Sequence, residues 1–442
     1  MPMLSWFLNA AYVVLLGLAM PWIAWRALFQ GKYRQGLGAK LLGRVPVRHS
    51  DRKCLWFHAV SVGEVNLIGP LLRLLADRYP AWECVISTTT RSGMALAQRR
   101  YPELAVFYCP LDFTWAVRTA VRRVRPDVLV LVELELWPNL IRAAKAHRAR
   151  VAVVNGRLGD SSFRGYRCIR PLIRAVLGQL DLVAAQNPTY AERFRRLGAR
   201  PVCVHTTGAM KFDGAEMDRE NPATARLRAL AGFQPQDVVF LAGSTQEPEE
   251  EAALAAFTAL RSRWPNLRLV LVPRHPERFD MVAKLLDRSG AVWQRRTRLE
   301  SEGPSPQARI LLVDTVGELG AWWGTATIAF VGGSFGSRGG QNMIEPAAYG
   351  AAVCFGPNTW NFRDIVTTML QAQAAVMVPN PQALTDFVRR CLEEPQYAAD
   401  LGQRAKRLVA SQLGATQRTL ELLAPLVERQ DCTVRPVDLS AA

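Results

Sequence analysis

From about residue 50 onward the sequence alternates short apolar runs with amphipathic stretches, and this alternation restricts the fold more than any other feature. Short apolar runs bounded by turn residues are typical of strands buried on both faces, and the amphipathic stretches between them are typical of covering helices. The pattern therefore predicts an α/β fold with parallel sheets and helices on both faces. The predicted strands are Cys54–His58, Cys84–Thr88, Ala105–Cys109, Asp127–Val132, Val151–Val154, Leu182–Gln186, Val202–Thr206, Val238–Ala242, Leu267–Val272, Ala291–Gln294, Ile310–Val313, Ile328–Val331 and Val353–Phe355.

The stretch from Lys211 to Asp237 divides this pattern into two halves. It is polar and rich in Gly, Asn and Pro, as expected of a connection between domains. A chain of 442 residues is long enough for two such domains. We therefore expect two Rossmann-like α/β lobes with a cleft between them. The expected limits are 31–212 for the first lobe, 213–236 for the connection, 237–428 for the second lobe and 429–442 for a flexible tail. The alternative for the final helix is that it packs back on the first lobe.

The amino-terminal segment carries no charged residue from Met3 to Trp25, about 23 residues, which is long enough to span a bilayer. No Lys or Arg precedes the segment, whereas Arg26, Lys32 and Arg34 follow it, and this bias keeps the following chain on the cytoplasmic side. Residues 1–30 are thus expected to form a membrane anchor. The alternative is an amphipathic helix buried in the protein.

Charge and cysteine content limit the possible partners. The 55 Lys and Arg exceed the 38 Asp and Glu by 17, so the chain is attracted to nucleic acid, anionic membranes or phosphorylated substrates. The eight cysteines are scattered singly, which is neither a disulfide framework nor a zinc site. Neither H-E-x-x-H nor Asp-x-Asp occurs, so no metal is expected.

Ligands of open parallel sheets bind beyond the carboxyl ends of the strands, and three loops of the first half carry ionisable residues there. Glu64 ends the loop after the first strand and is a candidate proton acceptor, although Ser61-x-x-Glu64 is also a helix capping box. Glu133 begins an acidic loop that ends at Asn139, where one acid can simply be a partner of the helix dipole. Lys211 lies in the last of these loops, and a solvated surface charge is its alternative role.

The second half offers three loops suited to an anionic ligand. Arg274 follows a strand and can clamp a phosphate, and the turn containing Gly317 and Glu318 follows another, though it also has the composition of an ordinary helix start. The loop 330–346 holds five glycines followed by a helix start near Asn342, which leaves backbone N–H groups open to a phosphate. Glu345, one turn into that helix, can accept hydrogen bonds from a ribose diol. The loop is neither G-x-G-x-x-G nor a P-loop, so oxidoreductase and P-loop functions lose support.

Six motifs in order make the sequence recognisable: FHAVSVGE, ELELWPN, GAMKFD, PRHPER, VDTVGEL and FVGGSFGSRGGQNMIEPAAYG. Together with the amino-terminal anchor they resemble 3-deoxy-D-manno-octulosonic acid (Kdo) transferases of lipopolysaccharide biosynthesis, from Met3 to about Leu420. The resemblance implies a GT-B glycosyltransferase fold, with the acceptor on the first lobe and CMP-Kdo on the second. It also implies location at the cell inner membrane, with the catalytic lobes on the cytoplasmic side.

The resemblance assigns roles by motif. Glu64 corresponds to the catalytic base, and Glu133 and Lys211 to residues that stabilise the transition state. The residues that correspond to CMP contacts are Pro273, Arg274, Val316, Gly317, Glu318, Asn342, Met343, Ile344 and Glu345. Three positions depart from the family pattern: Leu134 replaces a common Thr, Ala209 a common Asn, and Gln341 a common His.

The expected reaction is inverting transfer of Kdo from CMP-Kdo to the 6′-hydroxyl of the lipid A precursor (lipid IVA), without a cofactor or an obligatory metal. The expected partners are these two substrates and anionic inner-membrane lipids, with no nucleic acid. Two other functions stay open. One is a GT-B enzyme that uses a UDP-sugar, and the other is a membrane-tethered nucleic-acid-binding protein, which the charge of +17 favours but which lacks a basic stripe interleaved with aromatic residues.

Overall fold

The computed structural model describes residues 2–30 and 35–428. The expected tail, 429–442, and the first residues of the expected first lobe, 31–34, lie outside the described residues. The chain divides into two compact units: the first contains residues up to Asp213 and those from Leu413 onward, and the second is Gly214–Gln412.

The first unit is built on a seven-stranded sheet whose neighbouring strands are all parallel. Its strands are β1 (Cys54–His58), β2 (Glu83–Thr88), β3 (Ala105–Tyr108), β4 (Val128–Val132), β5 (Arg150–Gly156), β6 (Leu182–Ala185) and β7 (Val204–Thr206). The strand order is β3-β2-β1-β4-β5-β6-β7, so successive connections run outward in opposite directions from β1 and β4. Loops after these two strands therefore flank the point where parallel sheets bind ligands.

Helices cover both faces of this sheet, and two apolar cores result. The helices before the domain boundary are α1 (Pro2–Gln30), α2 (Leu37–Leu42), α3 (Val62–Leu67), α4 (Gly69–Arg78), α5 (Arg91–Arg100), α6 (Thr114–Val124), α7 (Pro138–Ala146), α8 (Asp160–Cys168), α9 (Arg170–Leu177) and α10 (Pro188–Leu197). Neighbouring side chains of a strand point to opposite faces, so Trp56 packs in one core and Phe57 in the other.

The second unit repeats this architecture with a second parallel sheet of seven strands, in the order β10-β11-β9-β8-β12-β13-β14. Its strands are β8 (Val238–Thr245), β9 (Leu267–Pro273), β10 (Trp293–Arg295), β11 (Ile310–Leu312), β12 (Ile328–Val331), β13 (Ala352–Phe355) and β14 (Val376–Met377). Its helices are α11 (Pro222–Leu230), α12 (Glu249–Leu260), α13 (Phe279–Arg288), α14 (Leu299–Glu302), α15 (Leu319–Trp323), α16 (Ile344–Ala348), α17 (Arg363–Gln371), α18 (Pro381–Glu393) and α19 (Pro395–Gln412).

Every predicted strand is present, with its ends shifted by at most two residues except at β8, which runs on to Thr245. β14 was not predicted, because two residues are too short a run to show a period. The expected connection 213–236 is not a bare linker, since it contains α11, which packs on α15. The Arg219 side chain also donates hydrogen bonds to the carbonyls of Tyr349 and Ala326 (2.7 Å each), which joins this stretch to the second unit.

The last described helix, α20 (Ala415–Glu428), returns to the first unit, whereas the expected domain limits placed it in the second. It packs on α4, β5 and β6, with Leu420 and Leu423 fully buried. The Asp213 carboxylate accepts hydrogen bonds from the backbone N–H groups of Gly414 (2.7 Å) and Thr416, which fixes the start of the helix. An amphipathic pattern shows that a helix covers a sheet but not which sheet it covers.

The segment expected to be a membrane anchor forms α1. Two polar side chains of α1 are bound to the loop that begins α6: Asn9 forms two hydrogen bonds with Thr114 (2.8 and 3.1 Å), and the Tyr12 hydroxyl donates to Asp112 (3.2 Å). Large apolar side chains elsewhere on the helix are exposed, among them Leu18 at 75%. Within the described residues, no helix is long and apolar enough to cross a membrane.

Candidate functional site

Glu64 lies in the first turn of α3, directly beyond the carboxyl end of β1. Its carboxylate accepts hydrogen bonds from the backbone N–H of Val60 and from the Ser61 hydroxyl (2.8 Å each). The backbone N–H of Glu64 donates in return to Ser61 Oγ (3.3 Å). Ser61 therefore caps the helix, as considered from the sequence, and the Glu64 carboxylate binds the backbone N–H of the residue before the cap, so the carboxylate is held in one position.

The pKa of Glu64 is higher than a role in helix capping alone requires. The pKa of this carboxyl is raised to about 7, chiefly by burial and to a smaller extent by the charges of Glu133 and Glu135, against the lowering effect of the two hydrogen bonds. An exposed glutamate has a pKa near 4.3, so Glu64 exchanges its proton much closer to neutral pH. A carboxylate of this kind can act as a general base under physiological conditions.

Glu133, directly after β4, and Asn155, the second-last residue of the neighbouring strand β5, share an unusual backbone conformation. Their φ angles are +60° and +53°, in the left-handed region that few residues other than glycine adopt. The Asn155 amide donates to Glu133 Oε1 (3.5 Å), and its Oδ1 accepts a hydrogen bond from the backbone N–H of Met210 (3.0 Å). Strain of this kind persists only where the surroundings hold it, and it is common at functional sites.

Lys211 follows in the short 3₁₀ turn Met210–Phe212, after β7. Its Nζ lies 3.5 Å from Glu133 Oε1, and its side chain is 36% exposed. Asn155 therefore connects both members of this ion pair. Its amide N–H binds the Glu133 carboxylate, and its amide oxygen binds the backbone of Met210, the residue before Lys211. The structure thus brings together the three residues of the first half singled out from the sequence, Glu64, Glu133 and Lys211, with Glu64 and Glu133 near enough to interact electrostatically.

The remainder of the acidic loop is held by Asp112, which is 3% exposed. Its carboxylate accepts hydrogen bonds from the backbone N–H groups of Asn139 (2.9 Å) and Leu140 (2.8 Å), at the start of α7. Trp137, just before this helix, donates from its indole to Glu135 (2.9 Å) and packs edge-on against His58. Glu135 is therefore a bound carboxylate of the loop, and its pKa is raised chiefly by burial.

In the second unit, Arg274 and Glu345 come from different segments to one place. Arg274 follows β9, and its charge lowers the pKa of Glu345, although burial is the larger influence and raises it. Glu345 Oε1 accepts a hydrogen bond from the Asn342 amide (2.9 Å), and Asn342 Oδ1 accepts from the backbone N–H of Ile344 (3.1 Å). Asn342 thus binds the N–H group that the sequence predicted to be open at this helix start.

The glycine-rich loop differs from the expectation that its N–H groups are open to a phosphate. The buried carboxylate of Glu249 accepts hydrogen bonds from the backbone N–H groups of Gly333 (2.7 Å), Ser334 (2.7 Å) and Phe335 (2.9 Å). A Cβ at Gly332 would lie 2.7 Å from Glu249 Oε2, so close approach explains this glycine. The expectation was wrong for these three donors, because a side chain from α12 already occupies them.

Glu318 is also bound by three side chains of its own unit. Its carboxylate accepts two hydrogen bonds from Arg296 (2.7 and 2.9 Å), one from the Thr315 hydroxyl (2.7 Å) and one from the Trp322 indole (3.3 Å). Burial raises its pKa, but these donors outweigh burial and the pKa is lowered. Glu318 therefore fixes the turn through Gly317, whose φ is +96°, and Val316 at the tip is 77% exposed.

Sequence reasoning missed three residues that organise these sites: Asp112, Asn155 and Glu249. The signal for Asn155 was available, since this polar residue directly follows the apolar run Val151–Val154. Glu249 and Asp112 act on loops distant in sequence and gave no local signal. Among the described residues, no group of three or more His, Cys, Asp or Glu is placed to hold a metal ion.

Comparisons with known proteins give a consistent result. A family model described as 3-deoxy-D-manno-octulosonic-acid transferase (kdotransferase) matches residues 34–214. The 3-deoxy-D-manno-octulosonic acid transferase of Bordetella pertussis is 36% identical over 381 residues, which are 84% of this chain and 86% of that protein. The protein of the same name from Haemophilus influenzae is 32% identical over 378 residues, 85% of this chain and 87% of its own.

Among solved structures, a glycosyltransferase from Rickettsia africae superimposes with a TM-score of 0.54 over 86% of this chain and 100% of its own. It is 12% identical in sequence, so the likeness concerns the fold alone. The two parallel seven-stranded sheets thus form a GT-B-like α/β fold.

Proposed function

Because the chain belongs to the 3-deoxy-D-manno-octulosonic acid (Kdo) transferase family, we propose that it transfers Kdo from CMP-Kdo to a lipid A precursor, lipid IVA. Membership makes the protein a Kdo-transferring glycosyltransferase of lipopolysaccharide biosynthesis. The single observation that carries this function is 36% identity over 84% of the chain. The identities of donor and acceptor, and the roles of individual residues, are the finer part of the proposal.

We assign the proton-accepting role to Glu64. The acceptor hydroxyl gives its proton to the Glu64 carboxylate while its oxygen bonds to the anomeric carbon of Kdo. The bond from that carbon to the phosphate oxygen breaks, and CMP departs with the electron pair, so the configuration inverts. The pKa of about 7 supports this role, because such a carboxylate is ionised in a large fraction of molecules at neutral pH and still binds a proton well.

Glu133 and Lys211 are proposed to stabilise the charges that develop during transfer. The 3.5 Å ion pair keeps the Lys211 ammonium beside the acidic loop, and Glu133 keeps negative charge near Glu64. Each group acts from a fixed position, which is the condition for electrostatic stabilisation of a transition state.

The donor is proposed to bind to the second unit through three segments, at Pro273 and Arg274, Val316 to Glu318, and Asn342 to Glu345. Arg274 is assigned to the phosphate, since a guanidinium matches phosphate oxygens in bidentate hydrogen bonds. Asn342 and Glu318 already form hydrogen bonds within the protein. We therefore propose that the other two segments bind the donor through the shape of their backbone rather than through these side chains. CMP carries one phosphate, so we expect transfer to need no metal and to persist in EDTA.

The same proposal includes attachment to the cytoplasmic face of the inner membrane through α1. Asn9 and Tyr12 bind one side of the helix to the protein, and the exposed apolar side chains, including Leu18 and Trp22, suit one leaflet of a bilayer. The charge of +17 favours anionic lipids.

The test is transfer of labelled Kdo from CMP-Kdo to tetraacyl lipid A precursor, followed by chromatography and mass spectrometry. We expect product from the wild type and a loss of about 100- to 10,000-fold in Glu64→Gln, the usual contribution of a general base. Glu103→Gln, which removes an exposed carboxylate of the same unit, serves as the matched control and should behave as wild type. Equal rates in the wild type and Glu64→Gln would leave Glu64 with its capping role alone, and transfer only from a UDP-sugar would overturn the donor assignment.

A further inference from the structure

An apolar cavity of about 260 Å³ lies within the first unit, between α1 and the segments that lead into the acidic loop. Its lining residues are Tyr12, Leu15, Leu16, Leu111, Asp112, Phe113 and Trp137. Five of these seven are aliphatic, Phe or Trp, so the wall is formed chiefly by hydrocarbon and aromatic carbon.

The two polar residues of the lining are already engaged. The Tyr12 hydroxyl donates to Asp112 Oδ2 (3.2 Å), and both Asp112 oxygens accept backbone hydrogen bonds from the first turn of α7. The indole N–H of Trp137 is bound to Glu135 (2.9 Å). A polar ligand would therefore have to displace internal hydrogen bonds, whereas an apolar ligand would not.

The walls of the cavity connect two parts of the molecule that the proposed function treats separately. One wall is α1, whose Leu15 is 61% exposed and which we propose to contact the membrane. The opposite wall includes Trp137, whose indole donates to Glu135, and Glu135 is near enough to Glu64, the proposed base, to interact with it electrostatically. An occupant of this cavity would thus bridge the lipid-facing helix and the acidic loop.

We propose that this cavity holds part of an acyl chain of the lipid acceptor and so selects for acylated substrate. The inference rests on the proposed function, because it takes the acceptor to be an acylated sugar whose hydroxyl lies near Glu64. A saturated chain matches both the apolar lining and the absence of open polar groups among the lining residues. Each methylene that leaves water strengthens binding about fourfold, so three buried methylenes account for roughly 50-fold in affinity.

The test fills the cavity and compares two acceptors. Leu16→Trp places a large ring in the cavity, and Leu37→Trp makes the same change in α2 of the same unit, at a position that is 52% exposed and outside the lining. KM is measured with the tetraacyl lipid A precursor and with the same phosphorylated disaccharide after complete deacylation. We expect Leu16→Trp to reduce the preference for the acylated acceptor at least tenfold, and Leu37→Trp to keep the wild-type preference.

A second variant keeps the test decisive if Leu16→Trp is unstable. Leu111→Trp fills the cavity from the opposite wall, and thermal unfolding together with CMP binding establishes that each variant is folded. An unchanged acceptor preference in a folded cavity variant would overturn the proposal, as would an equal loss with both acceptors. Wild-type protein that transfers Kdo to neither acceptor would instead refute the proposed function.

Photolabelling identifies the occupant directly. A tetraacyl acceptor with a diazirine on one acyl chain is expected to label the peptide containing Leu111 and Phe113, and excess unlabelled acceptor should suppress this. Equal labelling of that peptide by a diazirine phosphatidylglycerol, unaffected by the acceptor, would overturn the assignment, because the cavity would then hold bulk membrane lipid.

Discussion

Ser61→Ala tests whether Glu64 acts as a base or only as a helix cap. The Ser61 hydroxyl donates to Glu64 Oε1 at 2.8 Å and lowers the pKa of that carboxyl against the larger effect of burial. A hydrogen bond to a charged group contributes about 1.5–3 kcal/mol, and water at this partly exposed position replaces some of it. A net loss of about 1.4 kcal/mol raises the pKa by about one unit, from about 7 to about 8.

The assay is the pH dependence of kcat/KM for Kdo transfer, which reports the pKa of the free enzyme's base. Transfer needs the ionised carboxylate, so the rate falls as the pH drops below the pKa. In Ser61→Ala the acid limb should move about one pH unit upward. The rate at pH 6.5 should fall about eightfold while the rate near pH 9 stays close to that of wild type.

The substitution also removes a helix N-cap, which costs about 1 kcal/mol of stability. Asn187→Ala supplies the matched control, because Asn187 caps α10 through the backbone N–H of Tyr190 (2.8 Å) and has no hydrogen bond to Glu64. Asn187→Ala should lower stability by a similar amount and leave the pH dependence of kcat/KM unchanged. An acid limb that does not move in Ser61→Ala, or that moves equally in Asn187→Ala, would refute the assignment of the limb to Glu64.

Three further outcomes follow from the same contacts. Glu64→Gln should raise the free energy of unfolding at pH 8 by about 3 kcal/mol, and hardly at all at pH 4. The folded protein disfavours the ionised carboxylate, so the cost to stability grows as the pH rises from about 4.3, the pKa of an exposed glutamate, to about 7, and is constant above that. Chemical denaturation at both pH values measures this, and an equal gain at both would contradict it. Glu249→Gln places an amide against four backbone N–H donors and should cost about 3 kcal/mol and weaken CMP binding, whereas Glu251→Gln on the exposed face of the same helix should change stability by less than about 0.5 kcal/mol in thermal unfolding. Asn155→Ala should reduce transfer at least tenfold, because alanine is strained at this positive φ and lacks the side-chain hydrogen bonds. Asn155→Gly removes the hydrogen bonds without the strain. Wild-type activity in the glycine variant would therefore exclude a role for the side chain.

The strands could be predicted from the sequence because each is a short apolar run, and the parallel order follows from the helices between them. The loops after these strands were singled out for Glu64, Glu133 and Lys211, and the structure brings these three side chains together. The glycine-rich loop was predicted less well. Glu249 begins a run of three glutamates whose natural interpretation is a favourable interaction with a helix dipole, and its hydrogen bonds reach residues more than 80 positions away. Contacts over such distances leave no periodicity in the sequence.

The pKa values of three carboxylates, Glu64, Asp112 and Glu249, are raised chiefly by burial, which is partial at Glu64. The hydrogen bonds that each carboxylate accepts distinguish their roles. Glu249 accepts four backbone N–H groups, and Asp112 accepts two together with the Tyr12 hydroxyl. Glu64 accepts only one backbone N–H and one hydroxyl, and two further carboxylates repel its charge.

Protonation of Glu249 or Asp112 would weaken the hydrogen bonds that hold a loop. The ionised forms of these two carboxylates therefore stabilise the structure. Protonation of Glu64 gives up less hydrogen bonding and relieves electrostatic repulsion. Of the three, Glu64 is therefore the carboxylate that can take up and release a proton with the smallest change in the surrounding structure. That property is what a general base needs, and it explains why a residue in a capping box is also suited to catalysis.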